Sequence, residues 1–180
     1  MAQRQSLREL QDRLARRLSA AKTEAAGVSW LAVEAGGRRF LLPLVQSGEI
    51  FSWSPVQTVP YTQSWYLGVA ALRGGLHGVV DLAAFPGVGA SVPPGSPLER
   101  LTSESRLISL HPALDVNAVL WVDKLVGLRN PTMFSALGER SEDARAYLGR
   151  VLLDAQGEVW QELNLQTLAS DPVFLDIAAE

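Results

Sequence analysis

The residues of this 180-residue chain that could do chemistry are few, and their spacing argues against catalysis. It has two histidines, His77 and His111, and they form neither an H-x-x-x-H pair nor an H-E-x-x-H motif. There is no cysteine, which removes disulfides, thiolate metal sites and a cysteine nucleophile together. A serine nucleophile needs a strained strand-to-helix elbow, and no G-x-S-x-G occurs. The nearest stretch, "GAS" at 89–91, lies in a proline-rich loop. "GVGASV" at 87–92 begins like a phosphate-binding loop but has Val92 where the third glycine belongs, and Pro93-Pro94 bars the helix that should follow. Asp81, Asp115, Asp123 and Asp154 fall at strand ends, where turn and capping roles are commoner than paired acid–base work. The chain is therefore expected to be no enzyme and to hold neither metal nor cofactor.

Two features survive this elimination. The first is the aromatic segment "EIFSWSPVQTVPYTQSWY", residues 49–66, read as a loop that either lines the core or meets a partner. Within it Trp53 and Trp65 are candidate partner-facing aromatics, whereas Trp30, Trp121 and Trp160 fall in alternating strand patterns and read as core. The second is Arg73, set in "YLGVAALRGGLHGVVDL", residues 66–82, an otherwise apolar run. A buried guanidinium must be paired, because its charge cannot be neutralised. The nearest acid in a comparable setting is Glu49, so a partly buried Glu49–Arg73 ion pair is expected to pin residues 46–54 against the hairpin.

The elements that must position these residues are mostly short strands with glycine turns. Apolar residues make up 47% of the chain and charged residues 19%, enough for a packed core. The net charge of −3 gives no push toward nucleic acid. Gly36-Gly37 and Gly74-Gly75 mark hairpins, and Pro43 demotes the second strand to an edge or a bulge. "SRLISL", "NAVLWVDKLVGL", "AYLGRVLLD" and "EVWQELNL" are further strand candidates, and the Pro-, Gly- and Ser-rich residues 86–105 form a linker. The pattern is all-β. Residues 1–26 differ: Leu7, Leu10, Leu14, Leu18 and Ala21 recur at helical spacing behind a Ser6/Glu9 capping box. This amphipathic helix is expected either to pack on the domain or to dock a partner. With no signal peptide and no transmembrane run, the chain reads as soluble and cytoplasmic, with no membrane insertion.

The chain also repeats itself. "YLG" occurs at 66–68 and 147–149, Gly75 matches Gly157, and "DL" at 81–82 matches "NL" at 164–165. Leu82-x-x-Phe85 then echoes Leu165-x-x-Leu168. Two similar β subdomains sharing one core are expected.

On these residues the sequence resembles the CheW family of chemotaxis coupling proteins, whose hallmark runs E-I, P, then (Y/F)-(I/L)-x-G-V-x-N-L-R-G-x-x-x-P-V-x-D-L. Glu49-Ile50, Pro60, Leu67-Gly68-Val69, Leu72-Arg73-Gly74 and Val79-Val80-Asp81-Leu82 supply it, with Ala71 in place of Asn and Gly78 in place of Pro. The resemblance covers about residues 28–170. The N-terminal segment, the linker and the ending "WQELNLQTLASDPVFLDIAA" are most similar to the branch serving type IV pilus, or twitching-motility, chemosensory systems.

After the helix read over 1–26, the resemblance implies a CheW-like domain over 27–178. That domain would be two intertwined five-stranded SH3-like β-barrels: the first over about 38–85, the second over about 106–170 and completed by the first strand. It implies a non-catalytic adaptor that joins the regulatory domain of a CheA-type histidine kinase to the cytoplasmic tip of a methyl-accepting chemoreceptor, at membrane-associated receptor arrays. The receptor groove would involve Leu44, Ser47, Glu49, Gly68 and Arg73, and the kinase would meet the exposed edge of the first barrel. A small-molecule-binding β-barrel is the alternative the residues leave open.

Overall fold

The computed structural model describes Arg13 and residues 29–88, 97–138 and 142–179. Apart from Arg13, the expected N-terminal helix lies outside them. The described chain builds eleven strands in two sheets. They are β1 (Trp30–Ala35), β2 (Arg38–Pro43), β3 (Ser47–Ser52), β4 (Tyr66–Leu72), β5 (Gly75–Asp81), β6 (Arg106–Leu110), β7 (Ala118–Val122), β8 (Lys124–Arg129), β9 (Phe134–Gly138), β10 (Leu148–Asp154) and β11 (Val159–Leu163). Two short helices follow, α1 (Leu165–Ala169) and α2 (Pro172–Leu175). One sheet runs β3-β6-β7-β5-β4 and the other β8-β1-β2-β11-β10-β9.

Tight turns set the registers. Ala35 pairs with Arg38, so Gly36-Gly37 form a two-residue loop, with φ of 58° and 74°. Positive φ at both positions is what a type I′ hairpin demands, and glycine meets that demand without strain. The β4–β5 hairpin closes one residue earlier than its glycine pair suggests. Leu72 pairs with Gly75, and the turn residues are Arg73 and Gly74, at φ 42° and 77°.

The internal repeat is present in the hydrogen bonding. Asp81 N–H donates to Trp65 C=O at 2.8 Å, and Asn164 N–H donates to Tyr147 C=O at 2.8 Å. Phe85 N–H reaches Asp81 C=O at 3.0 Å, and Leu168 N–H reaches Asn164 C=O at 3.0 Å. Each hairpin thus ends on a polar residue that starts a tight turn, and that turn drives two apolar side chains inward. Leu82, Phe85, Leu165 and Leu168 all fall in one core cluster with Trp65, Tyr147 and Phe174. Both sheets also hold one parallel pairing, β5 with β7 and β11 with β2. The two halves therefore share a core, in line with the two-subdomain expectation.

Several local expectations change. Residues 49–52, read as part of a loop, belong to β3, which pairs antiparallel with β6. Pro43 does not make β2 an edge: β2 lies between β1 and β11, and Pro43 is its last residue, beyond the pairing with β11. "NAVLWVDKLVGL" is two strands in different sheets, with Asp123 alone between them. The sheets also divide the chain differently from the segments about 38–85 and about 106–170. β6 and β7 join β3, β4 and β5, while β1 and β2 complete the other sheet. Long-range parallel pairing decides this division, and it leaves no local signature in the sequence.

Candidate partner-binding site

The β4–β5 hairpin carries Arg73 out of the sheet, not into it. Arg73 Nη1 lies 3.0 Å from Glu49 Oε1, so the two residues meet as their types suggested. Their side chains are 77% and 49% exposed, however, which corrects the expectation of a partly buried pair. An ion pair this open is worth about 0–1 kcal/mol. Glu49 is held by its backbone: Glu49 N–H donates to Ser109 Oγ at 2.7 Å, at an irregularity in the β3–β6 register. Gly48 makes that approach possible, since a Cβ there would lie 2.9 Å from Leu110 C=O.

Between β3 and the hairpin opens a cleft of about 480 Å³. Glu49, Arg73, His77 and Ser109 supply its polar wall, with Phe51 and Val116 among its apolar residues. The Phe51 and His77 rings lie 6.3 Å apart, and His77 Nδ1 is buried with no protein partner. Asn117 Nδ2 donates to Leu76 C=O and ties the start of β5 to the loop before β7. Leu76, 64% exposed, and Ile50, also exposed, alternate with His77 and Glu49 along their strands and do not line the cleft. Sequence reasoning missed Phe51, His77 and Ser109 as cleft residues. The signal that could have found the first is its period-two relation to Glu49, which puts both on one face of β3.

The other expected site residues divide. Leu44 is exposed on a short 3₁₀ turn between β2 and β3. Ser47 is buried and its Oγ donates to Pro43 C=O at 3.0 Å. Gly68 is buried in β4, at φ 134°, beneath the backbone of Gln57. Trp65 is not partner-facing: it is 3% exposed, 4.9 Å from the Phe85 ring and 6.3 Å from Phe174. Trp53 is half-buried against Trp121, at 5.4 Å. Among the described residues no group of three or more His, Cys, Asp or Glu is placed to hold a metal. No helix among them is long and apolar enough to cross a membrane.

Because Arg73 sits at positive φ, its turn is strained by roughly 1 kcal/mol relative to a residue suited to that region. Asn-Gly is the favoured pair for such a turn. Arg73→Asn is therefore expected to leave the melting temperature unchanged or raise it by about 2 °C, the exposed ion pair notwithstanding. A fall of more than about 5 °C in a thermal melt would restore the ion pair as a structural element.

Two small sheets on a shared core, offering an ion pair and an imidazole in an open cleft, define a recognition scaffold. The CheW-like domain model matches residues 29–173, and the chain belongs to that family, whose members are non-catalytic scaffold adaptors. It is similar to Protein PilI of Pseudomonas aeruginosa, 28% identical over 169 residues that span 92% of this chain and 89% of that protein. Its fold is similar to the crystal structure of the scaffolding protein TtCheW from Thermoanaerobacter tengcongensis. That likeness has a TM-score of 0.59 at 16% identity, over 77% of this chain and 89% of the other.

Proposed function

We propose that this chain couples the cytoplasmic tip of a methyl-accepting chemoreceptor to the regulatory domain of a CheA-type histidine kinase. The observation that carries the reading is Arg73 itself. It holds a left-handed turn position that folding would fill better with asparagine, and it presents an exposed charge, with Glu49, at the mouth of a cleft. Strain kept at an exposed tip points to recognition. Leu44, Glu49 and Arg73 would meet the receptor's helical hairpin directly, while Ser47 and Gly68 would shape the backbone beneath them. Trp53, half-buried near the sheet edge, would be a lesser contact. The likeness to PilI supports placing the adaptor in a type IV pilus chemosensory system that controls twitching motility, on the cytoplasmic side of receptor arrays.

Titration calorimetry with a purified receptor-tip hairpin and with a kinase regulatory domain tests this. The chain is expected to bind both, and Arg73→Glu is expected to weaken the receptor at least tenfold while leaving the kinase affinity within twofold. Failure to bind either partner sinks the adaptor reading. The cleft volume favours a second reading, a small ligand in the barrel mouth. A ligand that co-purifies with the chain and is lost in His77→Ala would favour that one.

A further inference from the structure

The two halves of the internal repeat differ at one hydrogen bond, and that bond leads to the cleft. In the first half Leu82, the residue after Asp81, donates its N–H to Trp121 C=O at 3.2 Å, on the strand parallel to β5. In the second half the matching residue is Leu165. Its N–H turns instead to a side chain 119 residues away, Gln46 Oε1, at 2.7 Å. Gln166 N–H reaches the same oxygen at 3.4 Å. Continuing the β11–β2 register by two residues puts Pro43 where Trp121 stands in the first half. Pro43 C=O accepts from Ser47 Oγ at 3.0 Å, and the 3₁₀ turn Leu44–Gln46 brings in a substitute acceptor.

That substitute does more than cap a helix. Asn164 Oδ1 accepts from Thr167 N–H and Gln46 Oε1 takes the two donors before it, so the first turn of α1 is satisfied by two side chains. Gln46 differs from Asn164 in what its backbone holds. Gln46 C=O accepts from His111 N–H at 2.9 Å. His111 opens the loop that supplies Pro112, Asp115, Val116 and Asn117 to the cleft. Gln46 also directly precedes β3, which supplies Glu49 and Phe51 to the facing side. The β3–β6 register is irregular between Ser47 and Ile50, so the regular ladder does not fix Glu49 by itself. The Gln46–His111 bond lies just before that irregularity and the Glu49–Ser109 bond within it.

We propose that Gln46 is a positioning residue for the cleft: anchored on α1, it sets the separation of β3 from the His111–Asn117 loop, and so the width offered to the receptor hairpin. The inference deepens the reading of the cleft as the receptor site and rests on it. α1 serves as the fixed point because Leu165, Leu168 and Ala169 bury it in the shared core. Without an acceptor at residue 46, two amide donors lose their partner. The 3₁₀ turn, and both cleft walls with it, can then shift against α1. Recognition needs its contacting groups held to within about 0.5 Å by the residues behind them.

Three variants of the full chain test this. Gln46→Leu keeps the bulk of the side chain and removes the acceptor, whereas Gln46→Glu keeps an acceptor oxygen for the same N–H groups. Asn164→Ala removes the other acceptor on the same helix turn and is the control. Gln46→Leu is expected to raise amide exchange at 111–117 about tenfold, with Gln46→Glu within about twofold of the parent. Asn164→Ala is expected to raise exchange at 165–168 and not at 111–117. Unchanged exchange at 111–117 in Gln46→Leu overturns the proposal. An equal rise there in Asn164→Ala also overturns it, since Gln46 would then be a helix cap and no more. This readout involves no receptor, so it is decided apart from the adaptor reading. In titration calorimetry Gln46→Leu is expected to bind a receptor-tip hairpin about fivefold more weakly and the kinase regulatory domain within about twofold of the parent. Gln46→Glu is expected to restore the receptor affinity. Parent-level receptor affinity in Gln46→Leu would overturn the link from cleft width to recognition. A parent chain that does not bind the tip sinks the adaptor reading, and the exchange result still decides whether Gln46 sets the cleft.

Discussion

Arg100→Ala is expected to lower the melting temperature by roughly 10 °C, the larger effect of the two arginines that matter here. Arg100 lies in the 3₁₀ turn at Pro97–Arg100, within the stretch read from sequence as linker. Its Nη2 is 2.8 Å from Asp81 Oδ1 and 3.3 Å from Asp123 Oδ1, and its guanidinium lies 4.6 Å from the centre of the Trp121 ring. Asp81 ends β5 in one sheet, and its side chain is 2% exposed. Asp123 stands where the chain crosses to the other sheet, and its Oδ2 accepts from Gly36 N–H at 2.7 Å in the β1–β2 turn. One guanidinium thus ties the linker to both sheets.

Among the described residues, removing it leaves Asp81 as a buried carboxylate with the Ala83 N–H, at 3.1 Å, as its remaining side-chain partner. Breaking one side of a buried pair costs about 3–5 kcal/mol, because the remaining charge keeps its desolvation penalty and loses its partner. In a chain of this size each kcal/mol shifts the midpoint by about 2–4 °C. Adding Asp81→Asn to Arg100→Ala is expected to recover at least half of the loss, since a neutral amide tolerates the site better than an unpaired charge. A calorimetric midpoint within about 2 °C of the parent for Arg100→Ala would show that the clasp does not hold the halves together.

The contrast between Arg73 and Arg100 shows where sequence reasoning reached and where it stopped. A charge inside an apolar run marks Arg73 as unusual, and the pairing with Glu49 is legible from residue type alone. Its burial is not legible, because the glycine rule places the turn on Gly74-Gly75, whereas the register closes at Leu72 and Gly75. A one-residue slip reverses which side chains face the core. Here it keeps Leu72 at 4% exposure and puts Arg73 on the tip. Arg100 was overlooked for the opposite reason. It falls in a stretch rich in Pro, Gly and Ser, and its partners Asp81 and Asp123 come close only through the parallel pairing of β5 with β7. Trp65 misled in the same way: local pattern assigns it to a loop, and only the fold brings Phe85 and Phe174 against it. What was legible is what short-range rules control. The Gly36-Gly37 turn is one case. The other is the repeat, whose Asp81 and Asn164 each hold the turn after a hairpin: Asp81 Oδ1 accepts from Ala83 N–H, and Asn164 Oδ1 from Thr167 N–H at 2.9 Å.

Gly68→Ala is expected to destabilise the domain by about 2–4 kcal/mol and to loosen the C-terminal tail before any partner is involved. Gly68 has φ 134°, which alanine takes only under strain, and the added Cβ would lie 2.7 Å from the Gln57 carbonyl carbon and 2.9 Å from Thr58 Cα. Both are backbone atoms, so no side chain can swing aside. The crossing is close because Gln57 and Val69 exchange both backbone hydrogen bonds, at 2.8 and 2.9 Å, which lays the aromatic loop along β4. β4 is an edge strand, and this crossing covers part of its open side. The same loop anchors the chain beyond α2. Gln63 N–H donates to Ile177 C=O at 2.8 Å, and Ala179 N–H donates to Tyr61 C=O at 2.9 Å. Pushing the loop away from β4 therefore releases both segments together, and amide exchange at 57–63 and 176–179 should rise in parallel. Gly37→Ala is the control: its φ is 74°, and an added Cβ meets nothing within 4 Å, so its loss should stay near 1 kcal/mol. The difference between the two variants isolates the backbone crossing from the strain of positive φ. If Gly68→Ala instead kept its melting temperature and amide protection and lost only receptor binding, Gly68 would be a contact residue, as the family resemblance implies. The proximity of the Gln57 backbone argues that it acts one layer beneath the contact surface, as the spacer that lets the loop lie down.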